Sequence, residues 1–338
     1  MNEPDRKAIP KRHHYIPILH LKHFVGSDPK GQVWTYDAET NDVRSSVPEN
    51  TAVQSHYYSA EQSDGTMDTR LEEHLAKIEG VAAPVYDKLL RGEIPKDSQE
   101  RVDFSMFVAL MYVRTPTMRR MAGEIYGRGI QIMSYANAAN KQVFDSMMKR
   151  FEKDTGNVLD EAAKERLRRD MLDPTDYVIE IPKENTFSVL TVADKLAPLF
   201  FKMKWSLVIA EHGYFITSDN PVVRLVNPKS FHPAMGDYGF YNKTAEVSFP
   251  LSPKILFVMS WQKDARDIGA FDREPVYGSN RVRAAHSDRY LYAHIRDKRL
   301  QRLAFEFKDS RPGMTTHGFG PKKFAEIKVS RRSRKGSK

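Results

Sequence analysis

The sequence predicts an α+β protein, and three observations carry that expectation. Residues 66–171 are mainly helical in pattern, with apolar side chains recurring at spacings of three and four. Short runs rich in β-branched and aromatic residues precede that stretch within 11–60 and follow it within 177–310. Helices and strands are thus segregated along the chain, unlike the alternating βαβ units of a parallel sheet. The helical segment is expected to pack against the β-rich half, to which short N-terminal strands belong. Residues 11–310 read as a single domain, with a helical lobe of 66–171 and a β-rich lobe of 11–60 plus 177–310. Residues 1–10 read as a flexible N-terminus and 322–338 as a disordered basic tail.

The elements follow in order. Residues 32–36 (QVWTY) and 55–59 (SHYYS) read as short strands flanked by turn residues. From Thr66 to Leu90, the residues Leu71, Leu75, Ile78, Ala82, Val85 and Leu89 fall on one helical face, and Gly92 and Pro95 end the helix. Ser98 is a suitable N-cap for a second helix whose stretch FSMFVALMYV is apolar all round, as in a buried core helix. Pro116 removes a backbone donor and should kink or restart the chain there. Helices over 118–152 and 158–171 are separated at Gly156-Asn157. Beyond Pro174, strands are predicted over 177–181, 204–210, 214–217, 246–250 and 255–260, with Glu211-His212-Gly213 as a hairpin turn. Asp194 to Phe201 reads as a short helix and Asn280 to Ala293 as another, capped by Asn280.

Composition excludes several classes. With no cysteine in 338 residues, disulfide frameworks, zinc–thiolate sites, iron–sulfur clusters and cysteine nucleophiles are ruled out. A reducing, cytoplasmic setting fits that absence. No apolar run approaches the roughly 18 residues of a membrane span, and the first residues lack the apolar core of a secretory signal. The net charge of +9 is concentrated after residue 321, where Lys322, Lys323, Lys328, Arg331, Arg332, Arg334, Lys335 and Lys338 face only Glu326. Such a tail favours polyanions through counterion release, so nucleic acid is an expected partner; as a structural alternative it only solubilises the chain end. There is no phosphate-binding P-loop, dinucleotide fingerprint, H-E-x-x-H helix or G-x-S-x-G elbow.

Several short motifs occur in a fixed order: KRHHYIP at 11–17 with LKHF at 21–24, VWTYD at 33–37, LEEHLAKIEGVAAP at 71–84, VALMYVRTP at 108–116, WSLVIAEHGYFITSDNPVV at 205–223, FPLSPKILFVMS at 249–260, and a late Asn280. Together they resemble the bacterial family catalogued as domain of unknown function 4238, over roughly residues 11–295. The resemblance implies no catalytic residues, because that family carries no assigned activity.

Candidate site residues come from the motifs. His13 and His14 offer acid–base chemistry or a single metal ligand, although neighbouring side chains diverge and do not share one ion; the alternative is a histidine that orders the N-terminal segment. His20 and His23 share a face if 17–24 is helical, without an accompanying carboxylate motif. Glu72 and Glu79, seven apart, flank the apolar stripe of their helix and face either a cleft or water. Arg114 closes an apolar run and is either an anion clamp or half of an internal salt bridge to Asp219 or Glu79. Asp219, at a strand end before Asn220-Pro221, is either a divalent-metal ligand that activates water or an Asx-turn residue. Asn280 is a helix cap or a polar site contact.

Two functions compete on this basis. The first is a metal-dependent hydrolase for a phosphate-bearing substrate such as nucleic acid. In it His14, Glu79 and Asp219 are catalytic, Asp219 holds Mg or Mn, and His13, Arg114, Asn220 and Asn280 bind substrate. The second is a non-catalytic module binding nucleic acid or protein through the tail and an aromatic face of Tyr57, Tyr58, Tyr238, Phe240 and Tyr241. Deleting 328–338 is expected to leave the thermal midpoint nearly unchanged and to weaken nucleic-acid binding at low salt; a large loss of stability would show that the tail packs.

Overall fold

A computed structural model describes residues 12–310, apart from 28, 56, 58–59, 62–66, 69, 174–176, 178, 180 and 233–236. The expectations for 1–10 and 322–338 lie outside the described residues. In chain order the elements begin with β1 (Arg12–His14), α1 (Ile18–Leu21), β2 (Val33–Asp37), β3 (Val43–Ser46), β4 (Val53–Ser55), β5 (Ala60–Glu61) and β6 (Met67–Asp68). The helices α2 (Arg70–Leu90), α3 (Ser98–Val113), α4 (Pro116–Ala139), α5 (Lys141–Thr155), α6 (Glu161–Leu172) and α7 (Val192–Lys202) follow. The rest is β7 (Lys204–Ala210), β8 (Thr217–Ser218), β9 (Val223–Leu225), β10 (Glu246–Pro250), β11 (Ile255–Ser260), β12 (Ile268–Phe271), α8 (Arg273–His286), β13 (Tyr290–Ala293) and α9 (Lys298–Glu306). The protein is α+β, as the segregation of patterns implies. The described residues fall into two compact units, one of residues 12–119 and 187–310 and the other of 120–186.

The larger unit contains a five-stranded sheet in the order β12-β7-β11-β10-β9, in which only β12 and β7 run parallel. Phe257 sits opposite Phe249 on one side and Leu207 on the other, so the sheet presents a row of apolar side chains. The all-apolar run of α3 covers it. Phe104 meets Phe257 and Trp205 edge-on with centroids 5.5 and 5.9 Å away, the arrangement that aromatic quadrupoles favour. The predicted stripe of α2 faces the same core: Leu75, Ala82, Val85 and Leu89 are buried there. A second sheet, β3-β2-β13-β8, joins the N-terminal strands to the end of the chain through β2 and β13. Leu291 on its far side packs with Leu300 and Leu303 of α9.

In the smaller unit, Asn140 caps α5 by accepting from Gln142 and Val143, which breaks the predicted 118–152 helix in two. Gly156 ends α5 at φ 73, the left-handed position where glycine meets no Cβ penalty. Phe144, Met148 and Ala138 form its buried centre, with Leu159 and Met171 against them.

Several sequence expectations are corrected. The cap of α3 is Asp97, whose carboxylate accepts from Gln99 and Glu100, and not Ser98. Of 177–181, the described residues are not in a strand, and residues 178 and 180 lie outside the described set. The 204–210 and 214–217 segments form no hairpin, because β7 and β8 belong to different sheets. Over 214–216, a side chain replaces the neighbouring strand: the Asn280 amide donates to the Tyr214 carbonyl at 2.9 Å and accepts from the Ile216 N–H at 3.1 Å. Asn280 is consequently no cap. It sits inside α8, which Asp272 caps, and the predicted helix stops at His286 so that 290–293 can form β13.

At the centre of the larger unit lies His20, fully buried in α1. Its Nδ1 is 2.9 Å from the Tyr86 hydroxyl and its Nε2 2.8 Å from Thr217 Oγ1. Tyr86 has one proton and gives it to the Leu251 carbonyl at 2.8 Å. It therefore accepts from His20, which fixes the tautomer with hydrogen on Nδ1 and makes Thr217 the donor to Nε2. Burial holds this imidazole well below its ordinary pKa, so it is neutral at physiological pH. His20→Phe keeps a ring against Phe249, on which His20 stacks at 4.9 Å, but strips Thr217 of its acceptor and Tyr86 of its donor. A loss of about 2 kcal/mol in urea unfolding is expected; a loss below about 0.5 kcal/mol would remove the network's importance.

Candidate functional site

The N-terminal motif forms a strap. Pairing of β1 with β4 places His13 and His14 on opposite faces. His13 is buried, with Nε2 3.1 Å from a carboxylate oxygen of Glu72 on α2. His14 is half-buried and its Nε2–H donates to the Glu49 carbonyl at 3.1 Å. Burial, followed by the nearby Arg114 charge, pushes the His14 pKa below its usual value, against the pull of the Glu49 carbonyl. The main-chain oxygen of His14 accepts from Arg114 Nη2 at 2.7 Å, while Arg114 Nη1 binds Glu79 Oε1 at 2.7 Å. Arg114 is 4% exposed, and its guanidinium pairs with the Glu79 carboxylate, which offsets part of the cost of burying the charge. His14, Glu79 and Arg114 are thus brought together, and the next residue, Tyr15, meets the Tyr292 hydroxyl at 3.0 Å.

Asp219 is buried and turned onto the chain that begins β13. Its Oδ1 accepts from the Asp288 N–H at 2.8 Å, and its Oδ2 from the Arg289 and Tyr290 N–H groups at 2.7 and 2.8 Å. Burial, with the Asp288 carboxylate adding to it, raises its pKa to about 7 against the three donors. Its charge in turn helps raise the pKa values of Tyr15 and Tyr292, after the burial of those phenols. Asn220 donates to the His286 carbonyl at 2.9 Å. Asp219, Asn220 and Asn280 therefore each hold main-chain atoms of the 214–216 or 286–290 segments.

Among the described residues, no group of three or more His, Asp or Glu side chains stands close enough to hold a metal ion. The proposed aromatic face divides. Tyr57 and Phe240 are buried in the core, Tyr238 and Tyr241 are exposed, and Tyr58 lies outside the described residues. Among the described residues no helix is long and apolar enough to cross a membrane.

Sequence reasoning missed a basic cleft of about 360 Å³ in the larger unit. Lys96 comes from the loop between α2 and α3, Arg101 from the first turn of α3, Lys202 and Lys204 from the α7–β7 junction, and Lys263 and Asp267 from the β11–β12 connection. Arg101 lies over the Trp205 ring, its guanidinium carbon 4.1 Å from the centroid, and its Nη2 donates to the Phe201 and Met203 carbonyls at 3.0 and 3.2 Å. Burial lowers its pKa from the usual guanidinium value. Asp267, the single acid of the lining, is in contact with Lys204. Lys96, Lys202 and Lys263 make no ion pair with the described residues. The only trace in the sequence is the alternation Lys202-Met203-Lys204-Trp205; the other cations are scattered between Lys96 and Lys263 in no recognisable spacing, over roughly a whole domain's length.

The fold is that of an α+β protein with a positively lined cleft and a clamped N-terminal strap. The chain belongs to the DUF4238 family, a family of proteins of unknown function, whose model matches residues 12–297. No curated protein and no solved structure matches.

The Asp219 shift has a sign that can be measured. Folding holds this proton more tightly than the unfolded chain does, so the carboxyl's contribution is full below its ordinary 3.8 and is lost as pH rises toward about 7. The stability difference between wild type and the non-titrating Asp219→Asn is expected to shift against wild type between about pH 3 and about pH 8, roughly one unit beyond each end of that window. A difference that stays constant across urea titrations at several pH values would contradict it.

Proposed function

We propose that this chain is a non-catalytic binding protein for phosphate-bearing ligands, nucleic acid among them, and that it takes them at the basic cleft. The observation that carries this reading is the convergence of Lys96, Arg101, Lys202, Lys204 and Lys263 on one concavity whose only acid is Asp267. Cations gathered from separate segments of the chain attract a polyanion by releasing its counterions. The hydrolase reading has less support, because Asp219 accepts from three main-chain donors and Arg114 is committed to Glu79 and the His14 carbonyl.

Anisotropy titrations of a labelled single-stranded oligonucleotide across a salt series test this. Binding should weaken steeply with salt, and each of Lys96→Glu, Lys202→Glu and Lys263→Glu should lower the magnitude of the log–log slope by about one. Binding that survives all three substitutions together would place the ligand elsewhere. Incubation with Mg or Mn supplies the contrast: strand cleavage lost in folded Asp219→Asn would move the metal-dependent hydrolase ahead.

A further inference from the structure

The cleft's chemistry specifies more than a polyanion. Arg101 is preorganised. Its Nη2 is spent on two main-chain carbonyls, and its plane is held over Trp205. Its Nη1 and Nε hold no hydrogen bond to the described residues. A guanidinium already fixed in place loses little freedom when it binds an oxyanion, and its fork suits phosphate oxygens.

The ring beneath Arg101 is unavailable for stacking. Trp205 is only 1% exposed, its indole N–H donates to the Phe200 carbonyl, and Arg101 covers one face. Non-specific single-strand grooves rely on exposed aromatic platforms for successive bases. This cleft offers charge without such a platform, so it recognises phosphate and leaves the base unread.

Size and charge then narrow the phosphate. About 360 Å³ lies near the small end of ligand sites, roughly 300–1,000 Å³, which suits one phosphorylated group seated in the cleft. Within the lining, Asp267 already neutralises Lys204, which leaves Lys96, Arg101, Lys202 and Lys263 in excess. A phosphomonoester carries about −1.5 to −2 charges near neutral pH, whereas an internal diester carries one. The dianion matches that excess better. Asp267 is itself an anion held in the cleft. Its main-chain carbonyl accepts from Leu207 at 2.8 Å, which fixes its place beside Lys204.

Resting on the binding function proposed above, we infer that the cleft takes a terminal phosphomonoester, on a nucleic-acid strand end or a free nucleotide. Arg101 anchors it, and Asp267 competes with it for Lys204.

The test uses the full chain and one short single-stranded oligonucleotide in three forms: unphosphorylated, 5′-phosphorylated and 3′-phosphorylated. AMP and adenosine serve as competitors. Phosphorylation at one end should tighten Kd by about tenfold or more. Arg101→Lys, which keeps the charge and loses the fork, should abolish most of that preference, and so should Lys263→Glu in an exposed connection that does not threaten folding. Asp267→Asn should tighten binding of the phosphorylated strand. Competition by AMP but not adenosine assigns the monoester to free nucleotides as well; competition by neither, with the end preference intact, assigns it to strand ends. Equal binding of all three strands, still weakened by the lysine substitutions, would overturn the monoester inference and leave the binding function standing. A preference that survives both Arg101→Lys and Lys263→Glu would overturn the site. No binding of any strand would remove both.

Discussion

A neutral imidazole at position 20 ties together parts of the chain that are far apart in sequence. Through Nδ1 it reaches Tyr86 on α2, and through Tyr86 the Leu251 carbonyl beyond β10; through Nε2 it reaches Thr217 on β8. A charged imidazole would leave one of these hydroxyls facing a donor, so burial that keeps the ring neutral is also what keeps the network satisfied. α1, α2 and the five- and four-stranded sheets of the larger unit share this point, and the aromatic core of Phe249, Phe107 and Phe104 closes around it.

The same device, a buried polar side chain holding main-chain atoms, recurs across the larger unit. Asn280 takes the place of a strand beside Tyr214 and Ile216. Asp219 gathers three N–H groups where the chain leaves α8 and enters β13. Arg283, fully buried and without a carboxylate partner among the described residues, donates to the Pro221 and Ser248 carbonyls and to Ser248 Oγ. Burial lowers its pKa to about 9, which still leaves it charged at neutral pH. In low dielectric such groups are costly when unpaired and directional when paired. They specify how the short strands meet, a task that apolar contacts alone perform loosely. The candidate site residues of the sequence make contacts of the same kind: His14 and Asp219 bind main-chain atoms, His13 meets the Glu72 carboxylate, and Arg114 binds Glu79 and the His14 carbonyl. A group of cations lies in the cleft between the α2–α3 loop, the α7–β7 junction and the β11–β12 connection.

The sequence by itself determined the elements whose stability is local. The apolar stripe of α2, the all-apolar run of α3, the restart at Pro116 and the β-branched and aromatic runs of β7, β10 and β11 follow from periodicity, composition and backbone chemistry, and each lies where the pattern puts it. The sequence also marked His14, Glu79 and Arg114 as motif residues and left open whether Arg114 pairs internally; the contact with Glu79 is a fact of packing. Tertiary structure alone decided the strands that need distant partners. β13 was hidden inside an apparent helix because Asp219, some seventy residues earlier, supplies the acceptors that begin the strand. The 214–216 segment looked like a strand and is completed by an asparagine side chain. The cleft was invisible for the same reason. Its cations come from separate segments with no shared period, and only the folding of α3 and β7 onto one core brings Arg101 over Trp205.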